Sequence, residues 1–127
     1  MRTVVTCGSA RFEKEIRVFE ERLRELGVNV FTPHLTHFNW DLVPDEYAPY
    51  IARGLTHDHF YKIRMADAVF IYNKDGYAGP SVTLEIGYAA ACNKPIYALT
   101  MMDPELCRGM LFHKVARTPE DLVAYLT

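Results

Sequence analysis

The 127-residue chain lacks any apolar run long enough to span a bilayer, and its start, Met1-Arg2-Thr3, enters a short strand with no h-region. A soluble protein with no membrane partner is expected. Cysteine is scarce. Cys7, Cys92 and Cys107 are odd in number and widely spaced, and no CxxC or Cys/His ligand spacing occurs. That excludes a disulfide framework and points to a reduced, cytoplasmic setting without a metal. An excess of basic residues is also missing: 14 Lys and Arg face 16 Asp and Glu, for a net charge of −2. No electrostatic footprint for a nucleic-acid polymer results, whereas a small anionic ligand needs only one or two cations and some backbone amides. The seven glycines form neither a GxGxxG nor a P-loop. There is no internal repeat and no low-complexity linker, so residues 1–127 are read as one domain with one core.

What is present alternates. Thr3-Val4-Val5-Thr6-Cys7 is a β-rich run closed by Gly8-Ser9. Phe12 to Leu26 carries Ile16, Phe19, Leu23 and Leu26 at helical spacing, and Gly27 is a plausible stop. Val28–Phe31 reads as a second strand. Pro33 to Gly54 holds Pro33, Pro44 and Pro49 among Phe38, Trp40, Tyr47 and Tyr50. The prolines argue against one long helix, so a long loop with a short helix near Pro44–Ile51 is expected. A helix over Leu55–Met65, a strand over Ala68–Tyr72, a helix through Ser81–Ala89 and a strand over Pro95–Leu99 follow. Pro104–Phe112 reads as a short helix and Lys114–Ala116 as a weak edge strand. Thr118-Pro119-Glu120-Asp121 starts a last helix, with a Thr N-cap, Pro at N1 and acids in the first turn. Strands alternating with helices predict an α/β, flavodoxin-like Rossmann three-layer sandwich, a parallel sheet of about five strands in order 2-1-3-4-5. Its switch point falls between the first and third strands, where the Gly8 loop and the loop leading to Glu85 converge.

Glu85 is the central candidate. It is expected four residues into a helix that follows a strand and a glycine-punctuated loop, near the positive end of the helix dipole. An ionised carboxylate over a nucleotide-sized crevice can attack or stabilise an oxocarbenium-like sugar carbon; the bland alternative is a surface cap. In Gly8-Ser9-Ala10-Arg11-Phe12, Ser9 and the following amides can cradle an anion and Arg11 can clamp phosphate; equally, Ser9 is a plain N-cap and Arg11 is solvated. In the Asn73–Glu85 segment, Gly76 and Gly79 permit positive φ or a close approach, Ser81 can donate to a phosphate or cap the helix, and Tyr77 can line a sugar or base. His57-Asp58-His59 invites a metal reading, but residues two apart on a helix do not share a face. His59 is read as a general acid or an orienter of Glu85, against the alternative of simple packing. Asp67 is read as structural. Trp40, Phe38 and Tyr47 can cover the crevice and stack on a base, or form a wrapped hydrophobic loop.

With these residues in view, the chain resembles the nucleoside 2-deoxyribosyltransferase superfamily, and within it the nucleoside 5′-monophosphate N-glycosidase (CMP-hydrolase-like) branch. The matching stretches are Cys7-Gly8-Ser9-Ala10-Arg11-Phe12, Lys62-Ile63-Arg64-Met65-Ala66-Asp67-Ala68-Val69, and Asn73 to Ser81 running into Glu85-Ile86-Gly87-Tyr88-Ala89 and Lys94-Pro95-Ile96. The resemblance implies that Glu85 is the nucleophile and that Gly8, Ser9, Arg11 and Ser81 contact the 5′-phosphate. Phe12, Asn73, Tyr77 and Gly79 complete the candidate substrate-binding set, His59 joins Glu85 as a catalytic candidate, and the acid that protonates the leaving group is His59 or Asp58. The resemblance also implies a nucleotide or nucleoside substrate, no cofactor and at least a homodimer. Two positions depart from the pattern: His59 stands where relatives carry an Asp eight residues ahead of Asp67, and Gly79 where transferases carry an Asp six residues ahead of Glu85. The expected activity is hydrolysis of the N-glycosidic bond of a nucleoside 5′-monophosphate. The alternatives are base exchange, a phosphoribohydrolase of the cytokinin-activating type, and a nucleotide-binding sensor without turnover.

Overall fold

Alternation along the two central strands decides the layering. The structure, a computed structural model, describes residues 2–33 and 39–127. Five parallel strands, β1 (Thr3–Gly8), β2 (Asn29–Phe31), β3 (Ala68–Tyr72), β4 (Ile96–Ala98) and β5 (Lys114–Val115), form a sheet in order β2-β1-β3-β4-β5. In β1 and β3, Val5, Cys7, Val69 and Ile71 point to one face and Val4, Ala68 and Phe70 to the other. Helices α2 (Ala48–Met65) and α3 (Pro80–Ala91) cover the first face with Ile63, Val82, Ile86 and Ala89. Helices α1 (Glu13–Glu25) and α5 (Pro119–Leu126) cover the second with Phe19, Leu23, Leu122 and Leu126. The expected three-layer architecture and strand order are both present, with β1 flanked by β2 and β3.

Several element bounds differ from the sequence reading. Helix α1 starts at Glu13, because Ala10–Phe12 form a separate 3-10 turn. Strand β2 starts at Asn29, one residue after Val28. The helix expected in two pieces around Pro44–Ile51 and Leu55–Met65 is one helix, α2. Pro49 begins it rather than breaking it, because the first turn has amides with no intrahelical acceptor and loses nothing by their removal. Trp40–Leu42 form a short 3-10 turn of their own. The expected helix over Pro104–Phe112 shortens to α4 (Leu106–Gly109). Gly27 does stop α1, at φ 88, and Thr118 and Asp121 form a reciprocal capping box on α5. Asp67 accepts from the Thr3 amide at 2.8 Å, a structural tie. Among the described residues no helix is long and apolar enough to cross a membrane.

Candidate active site at the carboxyl ends of β1 and β3

A crevice of about 380 Å³ opens where β1 and β3 end. It is lined by Gly8, Ser9 and Ala10 after β1, by Pro33, Trp40, Ala52 and Thr56, by Tyr77, Gly79, Pro80 and Ser81 around the start of α3, and by Glu85. Gly8 runs close to β3: a Cβ there would sit 3.2 Å from Tyr72 Cβ and 3.3 Å from Tyr72 O, and would push the flexible Ile16 Cδ1 aside. Ser9 caps the 3-10 turn, its Oγ accepting from the Arg11 amide at 3.3 Å. The cap and the crevice position coexist, so the two sequence-level alternatives for Ser9 do not compete.

Glu85 departs from expectation in place and surroundings. Helix α3 starts at Pro80 behind Gly79, so Glu85 falls in its second turn, past the amides without acceptors. The helix dipole has little reach there. A side chain supplies the stabilising partner instead. His59 of α2 places Nε2 2.8 Å from Glu85 Oε2, and the two residues are only 2% and 6% exposed. The same Nε2 lies 3.2 Å from Cys7 Sγ. A surface-cap role for Glu85 is therefore ruled out by burial. A general-acid role for His59 fits poorly too, because its ring sits behind Glu85 and does not line the crevice. The geometry supports His59 as the residue that orients Glu85.

The tautomer follows from hydrogen-bond accounting. His59 Nδ1 is buried and has no partner among the described residues. An N–H there would be an orphaned donor, so the proton belongs on Nε2, which donates to the carboxylate. Cys7 is fully enclosed by the core. Burial first, and the Glu85 charge second, push its thiol well above the usual range. Cys7 Sγ, His59 Nε2 and a Glu85 oxygen lie within 4.8 Å of one another, the one such group among the described residues. They fit a metal badly, because Nδ1 lacks, among the described residues, the acceptor that a ligating histidine normally finds. The expected failure of His57-Asp58-His59 as a ligand set holds, since His57 packs on Phe60, Asp58 pairs with Lys62, and only His59 turns inward.

The remaining predicted residues divide. Gly8, Ser9, Tyr77, Gly79, Ser81 and Glu85 converge on the crevice. Arg11 stands at its edge with its guanidinium 3.5 Å from the centre of the Tyr77 ring. Phe12 supports that pair from behind, against Tyr72 and Tyr77. Asn73 is elsewhere: fully buried, it donates to Thr100 O at 2.9 Å and accepts from the Thr100 amide at 3.1 Å, linking the ends of β3 and β4. Its amide is consumed by the backbone, which does not fit direct substrate binding. Gly79 has φ −77 and an extended backbone; positive φ falls on Gly76 instead, where a Cβ would meet Met102 O at 2.5 Å. Trp40 reaches the crevice, Tyr47 is exposed, and Phe38 lies outside the described residues.

Sequence reasoning missed four contributors. Cys7 was treated only as a redox marker, although its place two residues after Val5 on one strand puts it beneath α3. Ala52 falls in the expected Pro33–Gly54 loop and Thr56 in the expected Leu55–Met65 helix with no site role, yet both belong to α2 and line the crevice. Arg108 was not considered at all. It forks onto the Asp103 carboxylate at 2.7 and 2.8 Å and donates to Ala78 O and Thr83 Oγ1, pinning the turn before α3. Burial pushes the Asp103 carboxyl up, but the bonds from Arg108 and the Glu105 amide outweigh it and hold the group below its usual range.

No protein-family description matches the chain, and no curated protein matches it in sequence. Solved structures do. A 2-deoxyribosyltransferase from the psychrotolerant bacterium Bacillus psychrosaccharolyticus aligns with a TM-score of 0.71 and 19% identity, over 94% of this chain and 89% of that one. A conserved protein from Enterococcus faecalis V583 aligns at 0.68 and 16%, over 98% and 96%. The CMP N-glycosidase BcmB of Clostridium botulinum aligns at 0.58 and 21%, over 98% of both chains. At these identities the likeness is one of fold: nearly the whole chain shares the architecture of a 2-deoxyribosyltransferase and of a CMP N-glycosidase.

Proposed function

We propose that the protein is an enzyme of the nucleoside 2-deoxyribosyltransferase superfamily that hydrolyses the N-glycosidic bond of a nucleoside 5′-monophosphate, with Glu85 as nucleophile. The observation that carries this reading is the placement of Glu85. It is a buried carboxylate that lines a nucleotide-sized crevice, with Oε2 held by His59. A Glu85 carboxylate oxygen bonds to C1′ of the sugar as the bond from C1′ to the base breaks, and the base leaves with the electron pair and takes a proton from solvent water. Water then attacks C1′ and releases the sugar phosphate and the restored carboxylate. His59 keeps the carboxylate in one orientation throughout, a positioning role.

The other elements have matching tasks in this reading. Ser9, Ser81 and the amides at the start of α3 receive the phosphate. Arg11, stacked on Tyr77, offers a guanidinium whose plane is already fixed. Trp40, part of the crevice lining, offers an aromatic surface for the base. No metal or cofactor is required. Exposed Tyr61 and Met65 on α2 and Leu84 on α3 supply an apolar surface for a homodimer. Light scattering at micromolar concentration should give a mass of at least two chains; a fully active monomer would contradict the dimer.

The test is free-base release from a panel of nucleosides and nucleoside 5′-monophosphates, followed by chromatography. Monophosphates should be cleaved and nucleosides cleaved poorly. Binding across the panel with no base released would support a sensor and defeat the enzyme reading. The likeness to a 2-deoxyribosyltransferase favours base exchange as the second reading. Addition of a different free base separates them, because only exchange makes the new nucleotide.

A further inference from the structure

Helix α3 starts without a cap of its own. Gly79 stands at the N-cap position with no side chain to accept from the first amides, and Pro80 at the first helical position has no amide to offer. The turn is braced from outside instead. Arg108 of α4 commits all three guanidinium nitrogens. Nε and Nη2 fork onto Asp103 at 2.8 and 2.7 Å, while Nη1 donates to Ala78 O at 3.2 Å and to Thr83 Oγ1 at 2.9 Å. Thr83 Oγ1 in turn donates to Gly79 O at 2.9 Å. The Arg108 and Asp103 side chains are 13% and 1% exposed, so the brace is packed in place. Two further ties seat the same loop on the same segment: Asn73 bonds Thr100, and Gly76, at φ 77, lies against the Met102 carbonyl. Among the described residues that line the crevice none comes from 100–108, whereas Tyr77, Gly79, Pro80 and Ser81 all line it.

We infer that Arg108 is a positioning residue for phosphate recognition: from outside the crevice it sets the start of α3, whose amides and Ser81 receive the substrate's 5′-phosphate. The inference rests on the nucleotide reading above and adds a residue to it. A Ser, Thr or Asp at position 79 would stiffen the turn by accepting from an amide of the first turn, the same donors that an anion needs. Arg108 stiffens it through a carbonyl and a hydroxyl, and leaves those amides to the ligand. Its charge is matched by Asp103, so what it gives the site is shape rather than attraction. Its reach is limited as well. On the loop and on α3 it bonds Ala78 and Thr83, whereas Glu85 is held by His59, and Val82, Ile86 and Ala89 pack the helix on the sheet. Loss of Arg108 should therefore loosen the phosphate end and leave the nucleophile in place.

Initial rates on matched nucleosides and nucleoside 5′-monophosphates test the idea, beside calorimetry of ribose 5-phosphate, which needs no bond cleavage. In Arg108→Met the monophosphate KM should rise about tenfold with kcat within about threefold of wild type, and ribose 5-phosphate should bind about tenfold more weakly. Nucleoside kcat/KM should change far less. Arg108→Lys keeps the charge without the fork and should behave like Arg108→Met. Thr83→Val removes the hydroxyl between Arg108 and Gly79. It should lower the monophosphate-to-nucleoside ratio several-fold, and it reads the same ratio should the Arg108 variants fail to fold. Folded variants with that ratio and ribose 5-phosphate affinity unchanged, an equal loss on both substrate classes, or full rescue by Arg108→Lys overturn the inference, while base release by the wild type still upholds the nucleotide reading. If the wild type neither cleaves a nucleotide nor binds ribose 5-phosphate, both fall together.

Discussion

Two glutamates are buried on opposite faces of β1, and they are built differently. Glu20 of α1 is 1% exposed, and its Oε2 accepts hydroxyls from Thr6 at 2.6 Å and Thr32 at 3.0 Å. Glu85 of α3 is 6% exposed, is held by one imidazole and borders the crevice. Thr6 and Cys7, adjacent in β1, face opposite sides: Thr6 donates to Glu20, and Cys7 contacts His59, the partner of Glu85. Glu20 has small, rigid donors from two strand ends and stands apart from the crevice: it ties α1 to the sheet. Glu85 has a single long donor whose far nitrogen is still unsatisfied, and a cavity in front. Burial alone thus does not mark a reactive carboxylate. The mark is a buried carboxylate whose partners leave room for something else.

The sharpest way to break this contrast is to neutralise each glutamate. Glu85→Gln keeps shape and helix propensity, so base release should drop by orders of magnitude while nucleotide binding and circular dichroism persist. A folded variant with near-wild-type turnover would remove Glu85 from the chemistry. Glu20→Ala strands two hydroxyls and leaves a hole. It should cost roughly 2–3 kcal/mol of stability, about 3–5 °C in Tm per kcal/mol, with kcat per folded molecule retained. Loss of kcat without loss of Tm would reverse the assignment of the two faces.

The guanidiniums repeat the comparison on a smaller scale. Arg11→Ala at the crevice edge should weaken monophosphate use by roughly 10- to 100-fold and spare nucleosides, as expected for one charge-assisted phosphate contact. Arg24, which donates to Thr32 Oγ1 at 2.9 Å beside Glu20, should give only a loss of about 1 kcal/mol or less when changed to Ala, read in urea unfolding. Phosphate dependence in the Arg24 variant would show that the two sides are not separate.

Acid should separate the regions as well. The Asp103 carboxyl is lowered in the fold, so its share of stability is present above the unfolded carboxylate range and is lost as pH falls through the folded pKa. Asp103→Asn should therefore destabilise at neutral pH and matter less in acid. An equal Tm loss at both would leave the Arg108 pair without a role.

The layering was legible because Val4/Phe70 and Val5/Ile71 alternate cleanly, and so was Glu85, because Gly79-Pro80-Ser81 announces a helix start after a strand. The register within α3 was not: counting from Ser81 moved Glu85 towards the helix end and credited the dipole with what His59 does. Pro49 misled for a related reason, since a proline reads alike whether it breaks a helix or opens one. Cys7–His59 and Asp103–Arg108 are contacts between distant or newly looped segments, and no local periodicity encodes them. Asn73 shows the opposite error: a polar residue in a motif loop was given to the substrate, although its amide completes the sheet end.

The outer strands carry a consequence for how copies of this chain meet. Strand β2 has three residues and β5 has two, so each open edge of the sheet offers only a few unpaired backbone groups. So short an edge is a poor template for a foreign strand, which disfavours fibril-like growth by sheet extension. Self-association is thereby channelled away from backbone pairing and onto side-chain surfaces such as the outer sides of α2 and α3, the two helices that carry His59 and Glu85.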